Sequence, residues 1–103
     1  MQRYPMTDVI ATREYRLTTP GKDTPVTVTV GSPAPAPDQP GAWYCPWVVT
    51  RDGESQMRTA IGTDSLQALV LGLATLRALL EYIAQTGKLT CLGGIEGPFI
   101  EFP

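Results

Sequence analysis

Apolar and polar residues alternate with a period of two over residues 9–18, where Val9, Ala11, Tyr15 and Leu17 oppose Ile10, Thr12, Glu14, Arg16 and Thr18. That period sends successive side chains to opposite sides of a strand, here with one mostly polar side. Pro20-Gly21-Lys22-Asp23 supplies turn chemistry, and Val26-Thr27-Val28-Thr29-Val30 then alternates again. The two runs therefore read as a β-hairpin in which Val26, Val28 and Val30 share the buried side. Residues 31–41 carry Pro33, Pro35, Pro37 and Pro40. Proline fixes φ and removes an amide donor, so this stretch is expected as an extended surface connection outside the sheet.

A second hairpin is predicted around Asp52-Gly53, because a type I′ turn needs positive φ at both central positions and Asp-Gly between apolar runs meets that need. The turn sets the register: Val48 faces Met57, Tyr44 faces Ile61, Trp47 faces Arg58 and Cys45 faces Ala60. One side of this hairpin then carries Tyr44, Pro46, Val48, Met57, Thr59 and Ile61, and the other Trp43, Cys45, Trp47, Val49, Gln56, Arg58 and Ala60. Both sides are largely apolar. One must meet a helix, and the other must be covered by the tail or a partner, or stay as a patch.

The periodicity changes to that of a helix after Thr63. Asp64 is the expected N-cap, with Gln67 as the returning half of a capping box, and Gly87 the expected left-handed stop after about 22 residues. Advancing about 100° per residue puts Leu66, Leu69, Leu73, Leu76, Leu79, Leu80 and Ile83 on the predicted core side. Gln67, Thr75, Arg77, Glu81 and Gln85 mark the opposite side, with Leu71 and Tyr82 among them. Residues 89–92 read as a short strand, and Phe99-Ile100-Glu101-Phe102-Pro103 ends the chain with apolar side chains that need cover. The fold class is α+β: an antiparallel sheet of two β-hairpins plus a short C-terminal strand, with one long helix packed on one face, all within a single domain spanning 1–103.

Composition narrows the chemistry. Of 103 residues, 17% are charged, and eight Lys+Arg against ten Asp+Glu leave a net charge of −2. That sign argues against a nucleic-acid partner, whose phosphates call for basic surface. There is no His, which removes the commonest general base, metal ligand and activator of a Ser or Cys nucleophile. Two cysteines, Cys45 and Cys91, are too few for a structural zinc site without His, so no metal and no cofactor is expected. Carboxylates fall at a hairpin tip (Asp52, Glu54), in loops (Asp23, Asp38) and at a helix cap (Asp64), which are solvated or structural positions; no catalytic residue is assigned. Glu14 and Arg16 on the first strand are expected to meet Arg58 if the sheet order brings them together. The helical stretch carries Arg77 and Glu81, which reads as a buried soluble helix and not a membrane span, and the chain opens without an apolar run of signal-peptide length, so the cytoplasm is the expected compartment.

The order of motifs resembles a known family. Val26-x-Val28-x-Val30-Gly31-x-Pro33, Cys45-Pro46-Trp47, Gly62-x-Asp64-x-Leu66-Gln67-Ala68-Leu69, Leu89-Thr90-x-Leu92-Gly93-Gly94 and Phe102-Pro103 are similar to a family of small uncharacterised bacterial proteins defined by a domain of unknown function. The likeness spans residues 13–103 and departs from the family pattern at Cys91, where such proteins tend to carry Trp. It implies a few antiparallel strands crossed by one long helix, and no catalytic residue comes with it. The sharpest cluster is Trp43, Trp47 and Arg58, residue types that dominate interface energetics. With Leu71 and Tyr82 they form the expected partner-binding set. The reading is a non-catalytic protein that binds another protein, an immunity or antidote type facing a toxin being its most concrete version. The alternatives are a small-ligand module using the aromatic sheet face, an enzyme using Cys45 or a carboxylate without His, and a homodimer joined through Leu71 and Tyr82.

Overall fold

The structure, a computed structural model, describes residues 4–91. Strands β1 (Val9–Thr19), β2 (Lys22–Gly31), β3 (Ala34–Pro35), β4 (Trp43–Arg51) and β5 (Glu54–Gly62) precede helix α1 (Ser65–Ala84), and β6 (Lys88–Cys91) follows it. The six strands form one antiparallel sheet in which β4 bonds β2, β3 and β5, while β1 bonds β2 and β6. Among the described residues β5 and β6 are thus the two edges of a β5-β4-β2-β1-β6 array. Every neighbouring pair is antiparallel, so the two edges run the same way. Strands running in one direction cannot be joined by a tight turn, and α1 is the crossover between them.

Both predicted hairpins form, and the second keeps the expected register of Val48 with Met57, Tyr44 with Ile61, Trp47 with Arg58 and Cys45 with Ala60. Its turn is the one the sequence demands, with φ of 52° at Asp52 and 76° at Gly53. The proline-rich connection differs from expectation. Ala34 and Pro35 pair with Tyr44 and Trp43, and the Ala36 amide donates to the Ala42 carbonyl at 2.9 Å. A two-residue bridge on one edge of β4 leaves the prolines where no ladder donor is required, so proline is tolerated there.

Helix α1 lies on the side carrying Trp43, Cys45, Trp47 and Val49. Its buried seam is Ala68, Gly72, Leu76, Leu80 and Ile83, with Leu69, Leu73 and Leu79 partly buried beside it. Leu66, placed on the core side by periodicity, is instead 68% exposed. Small residues at 68 and 72 let the first half of the helix press close to the sheet: a Cβ on Gly62, at the end of β5, would stand 2.5 Å from the Ala68 amide nitrogen, and a Cβ on Gly72 would stand 3.0 Å from Cys45 Sγ on β4. That close approach rotates the seam toward Ala68 and turns Leu66 outward. Asp64 caps the helix as expected, its Oδ1 accepting from the Gln67 amide at 2.7 Å. The returning Gln67 Oε1 accepts from the Thr63 amide at 2.6 Å, one residue earlier than a capping box requires. The helix ends at Ala84 without a left-handed stop, and Gly87 serves a different need. A Cβ there would come within 2.5 Å of the Thr18 carbonyl oxygen, so glycine lets the chain pass close against β1 as it enters β6.

The opposite side of the sheet is partly roofed by the N-terminal segment. The Tyr4 ring packs tilted against Tyr44 with centroids 5.1 Å apart, and the Tyr44 hydroxyl donates to the Pro5 carbonyl at 3.0 Å. Thr7 Oγ1 donates to the Ser32 carbonyl at 2.6 Å and the Ser32 amide donates to the Asp8 carbonyl at 2.8 Å. Tyr44 and Pro46 are buried as a result. The cover expected of the apolar C-terminal tail concerns residues outside those described.

Candidate protein-binding surface

The outward side of α1 is built from a helix whose inner seam is already satisfied. Opposite Leu76, Leu80 and Ile83 of the buried seam, at about 100° per residue, Leu71, Ala74, Ala78 and Tyr82 fall on one stripe, and all four are exposed. Exposure reaches 61% at Tyr82 and 39% at Leu71, while Val70 at 44% and Leu66 extend the apolar surface around the first two turns. Surface helices ordinarily turn charged residues to water. Here Arg77 and Glu81 are the charged residues of α1, and they bond each other, Arg77 Nε donating to Glu81 Oε1 at 2.9 Å. The outer surface of the helix is therefore electrically neutral and mostly apolar. With a mean hydropathy of 1.5, α1 is long and apolar enough, by length and composition, to cross a membrane, yet its seam is packed on the sheet.

The predicted set divides on burial. Leu71 and Tyr82 are at the surface, on the same stripe. Trp47 is not: it is 2% exposed, and its Nε1–H donates to Thr75 Oγ1 at 3.1 Å, while that hydroxyl donates to the Gly72 carbonyl at 2.9 Å. Its place in the partner-binding set is corrected here to a core role, because α1 covers the side of β4 that carries it. An indole beneath a helix needs a polar handle, and Thr75 provides it. Trp43 is half-buried against the same core. Arg58 is exposed opposite Trp47, and with the Gln56 amide oxygen turned toward it, its Nε and Nη2 donate at 2.9 and 2.7 Å. Glu14 and Arg16 do not meet Arg58. Strand parity puts them on the outer side of the sheet, where Arg16 reaches Asp23 at 3.8 Å. Sequence reasoning missed Leu66 and Val70 as surface residues. The available signal was the pair of small residues Ala68 and Gly72, which marks the side of closest approach.

Other chemistry is subdued. Cys45 is buried, its thiol lies 3.5 Å from the Gly31 carbonyl, and burial pushes its pKa up, the opposite of an activated nucleophile. Burial likewise raises Tyr15, against a smaller lowering from Arg13, whose guanidinium lies 5.9 Å from the ring centroid. Among the described residues no group of three or more His, Cys, Asp or Glu is placed to hold a metal ion. An open depression of about 380 Å³ lies between Gln39, Gly41, Ile61, Thr63 and Gln67 beside the start of α1. Asp64 and Gln67 already take up the nearby amides, so it presents neither a free charge nor an enclosed apolar wall.

The profile of a family described as a domain of unknown function (DUF6968) matches residues 11–98. No curated protein and no solved structure matches the chain.

Proposed function

We propose that this chain, which belongs to the DUF6968 family, works without catalysis by binding another protein through the outer side of α1. The observation that carries the reading is a helix anchored by its inner seam that still offers Leu66, Val70, Leu71 and Tyr82 to solvent around a single, internally neutral ion pair. Apolar side chains clustered on one surface are costly in water and are relieved by a partner. Tyr82 has the anchor character typical of interface centres, with a large apolar body and one polar tip. The finer version is a bacterial immunity or antidote type acting in the cytoplasm. It draws on the small size and on the net charge of −2, which steers an acidic inhibitor toward a basic toxin surface while the neutral helix supplies the contact.

The test is pull-down with the tagged full chain, taking the product of the adjacent gene as the first candidate partner. Leu71→Glu with Tyr82→Glu is expected to abolish retention while leaving the far-UV circular dichroism and melting temperature unchanged. A partner retained equally by the folded double variant would rule out this surface.

A further inference from the structure

The side of the sheet away from α1 carries a peptide site that this chain fills with its own residues 4–8. We propose that the site takes, in their place, an extended segment of a partner protein headed by an aromatic residue followed by proline. The inference is independent of the α1 surface, and the structure shows the chemistry of the occupant. Residues 4–8 belong to no strand, yet they lie on the sheet as a strap. The Tyr4 ring packs on Tyr44, and its hydroxyl donates to Asp38 Oδ1 at 2.6 Å and accepts from Gln39 Nε2 at 2.9 Å. The Pro5 carbonyl accepts from the Tyr44 hydroxyl, and Thr7 Oγ1 donates to the Ser32 carbonyl. Met6 and Thr7 press into a notch that glycine keeps open: a Cβ on Gly31 would collide with Thr7 Oγ1 and stand 3.2 Å from Met6 Cε.

Each contact is one that a separate peptide could make. Proline biases the residue before it to extended backbone, so a Tyr-Pro pair reaches the site with little conformational freedom left to lose. None of the strap's bonds belongs to the sheet ladder, and its release leaves the strand pairing and the α1 side of the sheet intact. The strap is also an incomplete ligand. Opposite Pro46 in the register, Thr59 Oγ1 is buried and has no hydrogen-bond partner among the described residues. On the same side Val48, Met57 and Ile61 are half-buried, so the apolar surface continues beyond Tyr44 and Pro46. A buried hydroxyl left unbonded is costly, so a segment that gives Thr59 a partner gains a bond that residues 4–8 do not make. Tethering offsets this for the strap, giving it an effective concentration on the order of millimolar. A free peptide of the same sequence therefore competes poorly until the strap is weakened.

The probe is a fluorescein-labelled peptide Tyr-Pro-Met-Thr-Asp-Val, the sequence of residues 4–9, titrated by anisotropy with the full chain over about 1–1,000 μM. Tyr4→Ala with Thr7→Ala removes the ring contact and the hydroxyl bonds of the strap, while Tyr44, Asp38 and Ser32 stay in place for the probe. This variant should bind the probe about tenfold more tightly than the parent chain does, with the far-UV circular dichroism and the emission of buried Trp47 unchanged. Adding Gly31→Ala should abolish the gain, because its Cβ fills the notch. Adding Tyr44→Phe instead, a change that leaves the notch alone, should weaken the probe about two- to tenfold by removing the donor to its proline carbonyl. Equal affinity of the parent and the folded Tyr4→Ala, Thr7→Ala chain would overturn the proposal. So would equal binding of the same six residues in reversed order, or a probe affinity that neither added change weakens. A parent chain whose mass doubles with concentration in sedimentation, and stays monomeric with Gly31→Ala, would assign the site to the strap of a second copy and remove the partner.

Discussion

Gly72→Ala sets helix propensity against close packing, and the structure decides the sign. In an isolated helix the change would stabilise by about 0.8–1.0 kcal/mol, because glycine loses more backbone freedom than alanine. In this fold the new methyl would stand 3.0 Å from Cys45 Sγ and 3.2 Å from Cys45 Cβ. Cys45 is fully buried on the strand that bonds β2, β3 and β5, so neither its sulfur nor its backbone has room to retreat. Overpacking of this kind costs about 1–3 kcal/mol, which exceeds the propensity gain. The expected net effect is a loss of about 1 kcal/mol, or roughly 4–8 °C in melting temperature for a domain of this size. Urea and thermal denaturation followed by the fluorescence of buried Trp47 would measure it. Cys45→Ala removes the sulfur and should relieve part of the clash, so the double variant should be more stable than the sum of the single effects by about 0.5–1 kcal/mol. A Gly72→Ala protein that melts higher than the parent, or strictly additive effects, would refute the close contact between helix and sheet.

Thr75→Val keeps the shape of the side chain but strands the Trp47 indole N–H, and a loss of about 1–3 kcal/mol in urea unfolding is expected. Asp64→Ala removes the N-cap acceptor of the Gln67 amide and should cost about 1 kcal/mol, with little loss in Asp64→Asn or Asp64→Ser. Tyr44→Phe releases the Pro5 carbonyl; amide hydrogen exchange around residues 4–8 should quicken while global stability falls by only about 0.5–1.5 kcal/mol. The buried Cys45 thiol is raised above its ordinary 9.0, so the folded state holds that proton more tightly than the unfolded chain. Stability from this source is complete below the unfolded value and is lost as pH rises beyond it through the folded value, with Tyr15 adding a further loss above its ordinary 10.0. Chemical denaturation across pH 7–11 should show the decline beginning near 9, and a decline unchanged in Cys45→Ala would exclude the thiol as its source.

Local chemistry made much of the fold legible. Asp52-Gly53 specifies a turn whose register then assigns every residue of β4 and β5 to a side, and the valines of β2 declare their shared burial through a period of two. The cap at Asp64 is equally local, since its acceptor and donor are three residues apart. The candidate surface was legible in part: Leu71 and Tyr82 stand out as large apolar residues among polar ones. Trp47 and Arg58, adjacent in register, looked alike as interface residues, yet one is buried and the other exposed. Residue type could not separate them, because an indole serves a core and an interface equally well.

What the chain determines alone is therefore whatever depends on neighbours a few residues away: strand parity, turn type, hairpin register, helix start and the absence of histidine chemistry. Which side of the sheet receives α1, and which way that helix is rotated, depend on contacts between distant segments. Ala68 against Gly62 of β5 and Gly72 against Cys45 of β4 set the rotation, Tyr4 to Asp8 roof the other side through bonds to Tyr44 and Ser32, and Gly87 closes the path into β6. Those contacts leave Leu66, Val70, Leu71 and Tyr82 in water, because a helix can bury only the side that faces the sheet.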